Sequence, residues 1–204
     1  IATIEADEAD GDDLQARSDE AFAQVNDLAQ DLRRGRRAAA KQLSRAVDGH
    51  LAELGMPHAR FQVEVEAVDG PPRSHGADEV AFMLAPNPGE PPRPLATSAS
   101  GGERSRVALA IEVALADVDQ VQVLVFDEVD AGIGGATAMA VGEKLARLAS
   151  GDGARSRQVL CVTHLAQLAA FADVHHVIEK GVAEGRTVTT TRQVADDGRV
   201  AELS

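Results

Sequence analysis

The feature that most constrains the fold of this chain is an apolar run that ends in two carboxylates. Residues 121–128 read VQVLVFDE. A strand covered on both faces in a parallel sheet has such a nearly continuous apolar run. Ligands of open α/β sheets bind beyond the carboxyl ends of the strands. The pattern therefore predicts a strand buried on both faces and puts Asp127 and Glu128 at a ligand-binding edge.

Two further motifs flank this strand in a fixed order. Residues 100–103 read SGGE and precede a helix-like apolar run, and residues 158–164 form a second strand-like run that ends in Thr163 and His164. A Ser-Gly-Gly turn before a helix leaves backbone N–H groups unpaired at the positive end of the helix dipole, which is an anion site. A plain helix N-cap is the alternative for such a turn taken alone. The candidate anion-binding residues are Ser100, Gly101, Gly102 and Glu103.

Strand-like and helix-like segments alternate through most of the chain, which predicts an α/β fold. Two strands joined by a Gly- and Pro-rich loop can form a β-hairpin, and a stiff extended connection with five of the eight prolines follows at residues 86–94. The later alternation predicts right-handed crossovers and a mainly parallel sheet flanked by helices. The predicted strands are 61–68, 79–84, 121–126, 158–163, 174–179 and 187–194, and the predicted helices are 103–116, 137–148, 165–171 and one starting near 199.

The first fifty or so residues have a helix-like sequence pattern that differs from that of the rest of the chain. From residue 14, apolar or small residues recur at alternating spacings of four and three, which is a heptad seam, although an ordinary amphipathic helix fits a seam this short equally well. Gly35 is expected to interrupt the helix, which resumes to about residue 54 and stops near Gly55 and Pro57. Residues 1–56 are therefore expected to form an N-terminal helical stub, and residues 57–204 a globular lobe. The seam positions are Leu14, Ser18, Ala21, Val25, Leu28 and Leu32.

The charge of the chain is unevenly distributed. The net charge of −13 argues against a protein that holds nucleic acid by its overall field. Residues 32–47 nevertheless contain six basic side chains and no acidic one. Four of them are spaced by four and form one stripe along a helix, which is either a solvated face or a contact for DNA phosphates. These four are Arg33, Arg37, Lys41 and Arg45.

Several classes of protein are disfavoured by what the sequence lacks. No apolar run is long enough to span a membrane, so no membrane partner is expected. The chain has one cysteine, Cys161, which cannot form an internal disulfide and fits a reducing cytoplasm. Trp and Tyr are absent, so a base-stacking platform for single strands is not expected.

The three motifs, in this order and spacing, resemble the C-terminal half of an ABC-type ATPase head, with its signature loop, Walker B strand and switch histidine. The runs SASGGERSRVALAIEVAL, VFDEVDAGIGG and QVLCVTHLAQLAAFAD are most similar to the RecN family of bacterial DNA repair proteins, relatives of the SMC proteins. The resemblance covers about residues 61–180. It implies that residues 1–56 are the end of a coiled-coil arm and that residues 57–204 are the C-terminal lobe of the head.

The resemblance also implies a role for each motif residue. Asp127 would hold Mg²⁺ through a water, Glu128 would be the general base for the attacking water, and His164 would contact the γ-phosphate of ATP. The Ser-Gly-Gly turn of residues 100–102, called the signature turn below, would face ATP held by an opposing head, which implies a head-to-head homodimer. In SMC heads, the loop after the Walker B glutamate usually ends in Leu-Asp, and this aspartate signals across the dimer. Ile133 and Gly134 occupy those positions here, which leaves Asp130 as a weaker candidate for that role.

One part of an ATP site is missing from the sequence. No GxxxxGK[ST] phosphate loop occurs, so the resemblance implies that an N-terminal lobe of the same protein supplies it. The implied function is a DNA-stimulated ATPase lobe of a double-strand break repair protein that binds double-stranded DNA in the bacterial nucleoid. An ATP-gated module that tethers DNA, with slow hydrolysis as a reset, is the alternative. An ABC transporter subunit is disfavoured because transporters do not need the helical arm.

Overall fold

A long N-terminal helix dominates the first part of the chain. The computed structural model describes residues 2–98, 100–151, 157–183 and 186–204, and places helix α1 at Ala2–Glu53 without a break. The expected interruption at Gly35 was wrong, because a glycine inside a helix costs only about 1 kcal/mol relative to Ala and the turns on both sides are helical. The predicted stop is confirmed, since Gly55 has a φ of 79° and the Met56 N–H donates to the Leu51 carbonyl at 2.9 Å.

The chain divides into two compact units, one of Ile1–Ser44 with Gln62–Met83 and one of Arg45–Phe61 with Leu84–Ser204. The strands β1 (Arg60–Ala67), β2 (Asp78–Ala85) and the two-residue β3 (Arg93–Pro94) form one sheet in the order β1-β2-β3. The predicted pairing of β1 with β2 is therefore present, and the N–H of Val68 donates to the carbonyl of Ala77 at 2.9 Å where the strands are connected.

The rest of the second unit alternates helices and strands. Their bounds are α2 Leu95–Ser98, α3 Gly101–Ala114, β4 Val123–Phe126, α4 Gly135–Ser150, β5 Gln158–Cys161, α5 Ala166–Ala169, β6 His175–Ala183, β7 Arg186–Val194 and α6 Asp196–Leu203. Helix α4 packs against α3, α5 and β5. A Cβ atom on Gly142 would lie 2.3 Å from the ring of Phe171, so the glycine allows α4 to approach this ring closely.

The parallel pairing expected from the alternation is present between β4 and β5, where Val123 pairs with Gln158 and Phe126 pairs with Cys161. Strands β6 and β7 instead pair antiparallel along their whole length, as strands joined by a short connection must. Three predicted features lie outside the described residues, at least in part. They are residues 152–156 of a polar loop, residues 184 and 185 of a turn, and Ala99 before the signature turn.

The burial of β4 differs from the two-sided burial that its sequence predicts. Leu124 and Phe126 are buried, but Val125 is 67% exposed, and its partner position Leu160 on β5 is 47% exposed. Parallel sheets normally have both faces covered. One face of the β4–β5 pair therefore carries exposed apolar side chains in the part of the chain that the structure describes.

None of the helices in the described ranges is both long and apolar enough to cross a lipid bilayer.

Candidate functional site

The three motifs border one cavity of about 590 Å³. Its walls are residues 100–102, residues 127, 128 and 130–132, and residues 162–164. Strands β4 and β5 are parallel and end in register, so the residues that follow them emerge at the same edge of the sheet. The N-terminus of α3 meets the same edge. The sequence-predicted residues Asp127, Glu128 and His164 are thus brought together with the signature turn, and the basic stripe on α1 does not line this cavity.

The signature turn forms a capping box at the start of α3. The Ser100 hydroxyl oxygen accepts from the N–H of Glu103 at 3.3 Å. The Glu103 carboxylate accepts from the backbone N–H and from the hydroxyl of Ser100, each at 2.9 Å. This is the N-cap alternative that the sequence left open, and it begins α3 at Gly101, two residues before the predicted start. The hydroxyl of Ser100 is therefore engaged by Glu103 in this structure.

Two glycines of this turn lie directly against the loop that follows β4. A Cβ atom on Gly101 would be 1.9 Å from Oε2 of Glu128. A Cβ atom on Gly102 would be 2.8 Å from the Cβ of Ala131 and 3.1 Å from the carbonyl oxygen of Glu128. A Cβ at Gly102 would displace the backbone of the loop, whereas a Cβ at Gly101 would displace the carboxylate of Glu128. The carboxylate of Glu128 therefore packs on the signature turn of its own chain.

The backbone around the two carboxylates is held in an unusual conformation. Oδ1 of Asp127 accepts from the N–H of Glu128 at 2.9 Å, and the hydroxyl of Ser105 donates to the carbonyl of Asp127 at 2.6 Å. Glu128 has a φ of 56°, in the left-handed region, which costs about 1–2 kcal/mol for a residue with a Cβ. Such strained residues cluster at functional sites. Both carboxylates are exposed at the cavity wall.

Asp130 is the buried acid of the site, with 4% of its surface exposed. Its Oδ2 accepts from the Thr163 hydroxyl at 2.5 Å and from the His164 backbone N–H at 2.9 Å, and it lies 3.0 Å from Nδ1 of His164. Burial alone would raise the pKa of Asp130, but the hydrogen bonds from Thr163 and His164 outweigh it and the pKa is lowered. The side chain of His164 is 73% exposed.

Arg106 does not line the cavity but supports its wall, and the sequence did not predict this role. Its guanidinium is buried, and Nη1 donates to the carbonyl of Ala131 at 2.9 Å, which ties α3 to the loop after β4. Nε has no hydrogen-bond partner among the described residues, and burial lowers the pKa of Arg106. The available signal was its place on the helix face shared with the buried Leu109 and Ala110, three and four residues later.

The oxygen atoms at the cavity suit a Mg²⁺ ion that is held mainly by other groups. No cluster of three or more His, Cys, Asp or Glu side chains is placed to hold a metal ion within the described ranges. Mg²⁺ commonly takes one or two carboxylates from a protein and completes its shell with waters and phosphate oxygens. The exposed carboxylate of Asp127 fits that kind of donor set.

The basic stripe on α1 is not uniform. Arg33 and Arg36 both donate to Asp78 of β2, whose side chain is fully buried, and the hydrogen bond from Arg33 is the main reason that the pKa of Asp78 is lowered. Arg33 is thus a partner of Asp78 in the first unit rather than an unengaged contact for DNA. Arg37 and Lys41 are exposed in the first unit. Arg45 is exposed in the second.

Known proteins resemble this chain in sequence. No protein-family model matches it. It is 45% identical over 205 residues to the DNA repair protein RecN of Deinococcus radiodurans. The alignment covers 100% of this chain and 35% of that protein. It is 44% identical over 200 residues to the DNA repair protein RecN of Streptomyces coelicolor. This alignment covers 93% of this chain and 34% of that protein. The chain therefore spans about a third of the length of the curated relatives it matches.

A solved structure also resembles the chain. The Smc head domain with a coiled coil and joint from Pyrococcus yayanosii superposes on this chain with a TM-score of 0.63 and 18% sequence identity. The superposition covers 96% of this chain and 35% of the Smc chain. At this identity the likeness shows the fold. The α/β fold of an ABC/SMC-type head with an N-terminal helical stretch, predicted from the three motifs, is therefore confirmed.

Proposed function

From the premise that this chain is homologous to the C-terminal part of the RecN DNA repair proteins, we propose that it is the C-terminal lobe of an ATP-hydrolysing head. Residues 57–204 form this lobe, and residues 1–56 are the end of its coiled-coil arm. The head acts in the cytoplasm, at the bacterial nucleoid, in double-strand break repair. The observation that carries the proposal is the convergence of the signature turn, Asp127 with Glu128, and His164 on one cavity.

Three side chains of the cavity have chemical roles in this proposal. Asp127 would hold Mg²⁺ with its exposed carboxylate, and the ion would supply positive charge that offsets the charge of the phosphates. Glu128 accepts a proton from the attacking water as general base. The imidazole of His164, exposed at the same edge, hydrogen-bonds the γ-phosphate of ATP.

The signature turn contributes to the site of a second copy of the head. Once Glu103 releases the Ser100 hydroxyl, that hydroxyl and the N–H groups of Gly101 and Gly102 can donate to a phosphate from outside the chain. ATP bound between two heads therefore favours a closed homodimer, and hydrolysis favours separation, because the closed state adds the contacts of the opposing signature turn to the γ-phosphate.

The other lobe of the head is the proposed source of the phosphate loop. The exposed apolar face of the β4–β5 pair supports this, since Val123, Val125 and Leu160 are 50%, 67% and 47% exposed on a pair of parallel strands. Sheets of this kind are covered on both faces. We assign this face to the N-terminal lobe of the same protein, which brings its phosphate loop to the cavity edge.

Double-stranded DNA is the proposed macromolecular partner. Arg37 and Lys41 are exposed, lie four residues apart on α1 and therefore share one face of the helix. With Arg33 paired to Asp78, these two are the stronger phosphate contacts in the first unit. Because they carry no base-reading geometry, the contact is expected to be independent of DNA sequence.

The experiment that tests the proposed function replaces Glu128 with Gln in a protein that contains both lobes. The amide cannot accept the proton from water, so ATP turnover should fall about 100- to 10,000-fold while ATP still binds. Turnover is measured as phosphate release, and head dimers as a shift in sedimentation. Glu143→Gln is the matched control, since Glu143 is exposed on α4 away from the cavity. Normal turnover in Glu128→Gln would remove the assignment of the general base.

A further inference from the structure

The contacts of Asp130 point to a role different from nucleotide binding. We propose that Asp130 is a positioning residue that holds His164 in the Nδ1–H tautomer and directs its Nε2 atom into the cavity. This inference rests on the proposed function, because it concerns how the histidine of that site is prepared for a phosphate. The three contacts of Asp130 Oδ2, from the Thr163 hydroxyl, the His164 N–H and the His164 Nδ1, carry it.

The protonation of the ring follows from the chemistry of its neighbour. An ionised carboxylate can only accept hydrogen bonds. At 3.0 Å from Oδ2 of Asp130, the Nδ1 atom of His164 is close enough to donate to the carboxylate, and in the proposed arrangement it carries the hydrogen. In the neutral ring, Nε2 is then the unprotonated nitrogen. Because the His164 side chain is 73% exposed and borders the cavity, Nε2 is the ring nitrogen left to meet a ligand.

The same pair prepares the ring to donate to a phosphate. When Nε2 takes up a proton, the ring becomes a cation with one N–H toward the phosphate and the other toward Asp130. A buried carboxylate on the far nitrogen fixes the ring orientation. Asp130 thus acts through His164 and does not need to touch the nucleotide.

The burial of Asp130 argues against a role across a dimer interface. With 4% of its surface exposed, it would have to give up its hydrogen bonds from Thr163 and His164 to reach an opposing head. Those two donors would then lose their acceptor, which is energetically unfavourable. The role inferred here lies within one chain, and it links the loop that carries Glu128 to the end of β5.

The test is the tautomer of His164, measured by long-range ¹H–¹⁵N correlation spectra of the ¹⁵N-labelled chain in alkaline buffer, where imidazoles are neutral. The wild-type ring is expected to be mainly the Nδ1–H form. Asp130→Asn, whose amide can donate to Nδ1, should shift the ring to the Nε2–H form, and Asp130→Glu should restore part of the Nδ1–H form. A wild-type ring in the Nε2–H form would overturn the inference whether or not any variant folds.

Thr163→Val is the matched control, because it removes a hydrogen bond to Asp130 without touching the contact with Nδ1. Its spectrum should keep the Nδ1–H form, and an Asp130→Asn spectrum identical to wild type would overturn the inference. In a protein with both lobes, Asp130→Asn should lower ATP turnover about 10- to 100-fold. Unchanged turnover would also overturn it. The spectra need no ATP, so a failure of the ATPase proposal is distinguishable from a failure of this one.

Discussion

At the scale of single residues, Lys144 connects two helices of the second unit. Its side chain is only 10% exposed, and Nζ lies 2.6 Å from Oε2 of Glu53 and 3.1 Å from Nδ1 of His50. Burial and the charge of Lys144 lower the pKa of His50, with a smaller effect in the same direction from Arg147 and an opposing one from Glu53. Neutral His50 is therefore the form that accepts from Lys144.

A pH dependence of stability follows from the lowered pKa of His50. The unfolded chain binds a proton at this residue near pH 6.5, whereas the folded chain does so only at lower pH. Because the unfolded state binds more protons in that window, acidification below about pH 6.5 lowers the free energy of unfolding. Asn at this position can still accept from Lys144 but does not titrate. His50→Asn should thus lose less stability than wild type between pH 7.5 and pH 5.5, measured by urea unfolding.

The control for this prediction is His58→Asn, since His58 is exposed. It should show the wild-type loss of stability over the same pH interval. An equal loss in His50→Asn and wild type would contradict the account of the Lys144 contact.

At residue scale, the sequence predicts which groups emerge at the cavity edge but not how they contact one another. Asp127 and His164 follow apolar runs, and the periodicity of a strand is enough to place them at a sheet edge. The pairing of Asp130 with His164 joins residues 34 apart and depends on the register of β4 against β5, which no local pattern encodes. The contact of Glu128 with Gly101 likewise depends on how α3 meets the loop after β4.

At the scale of elements, α4 contacts α3, α5 and β5 of the second unit. Gly142 sets the distance between α4 and the ring of Phe171. A methyl group at this position would lie 2.3 Å from the ring, closer than van der Waals contact allows. Gly49 lies in a helix of the same unit and has nothing within 4 Å of its added Cβ. The two glycines therefore form a matched pair, one crowded and one open.

Alanine substitution should affect these two glycines in opposite directions. Gly49→Ala should raise the free energy of unfolding by about 0.5–1 kcal/mol, because Ala is the better helix former. Gly142→Ala gains the same propensity but must displace Phe171, and overpacking typically costs about 1–3 kcal/mol, so a net loss of about 1 kcal/mol is expected. Urea unfolding monitored by circular dichroism checks both. A Gly142→Ala variant as stabilised as Gly49→Ala would show that Phe171 moves at no cost.

The bounds of the elements were predictable where a local signal exists. The strands β1, β2, β5 and β7 are present where the sequence predicts them, within a few residues at each end. The error at Gly35 arose because a lone glycine is a weak breaker inside a helix. The exposed face of β4 could not be foreseen, because an apolar run does not say whether the element that covers it belongs to the same stretch of chain.

At the scale of the whole molecule, the chain has the fold of an SMC-type head and spans about a third of its RecN relatives. Its cavity presents the carboxylates of Asp127 and Glu128 and the imidazole of His164, and its β4–β5 pair has one exposed apolar face. The sequence contains no GxxxxGK[ST] loop. These features are explained together if an ATP site forms only when a second lobe covers the exposed face of the β4–β5 pair and binds the phosphates of ATP.

The most direct test of this account is complementation between the two lobes, measured as ATP hydrolysis. The chain is mixed with a separately produced N-terminal lobe that carries the phosphate loop, and each lobe is also assayed alone. Neither lobe alone should exceed background, the mixture should hydrolyse ATP, and the mixture made with Glu128→Gln should not. Equal hydrolysis by the N-terminal lobe with and without this chain would contradict the claim that this chain completes the site.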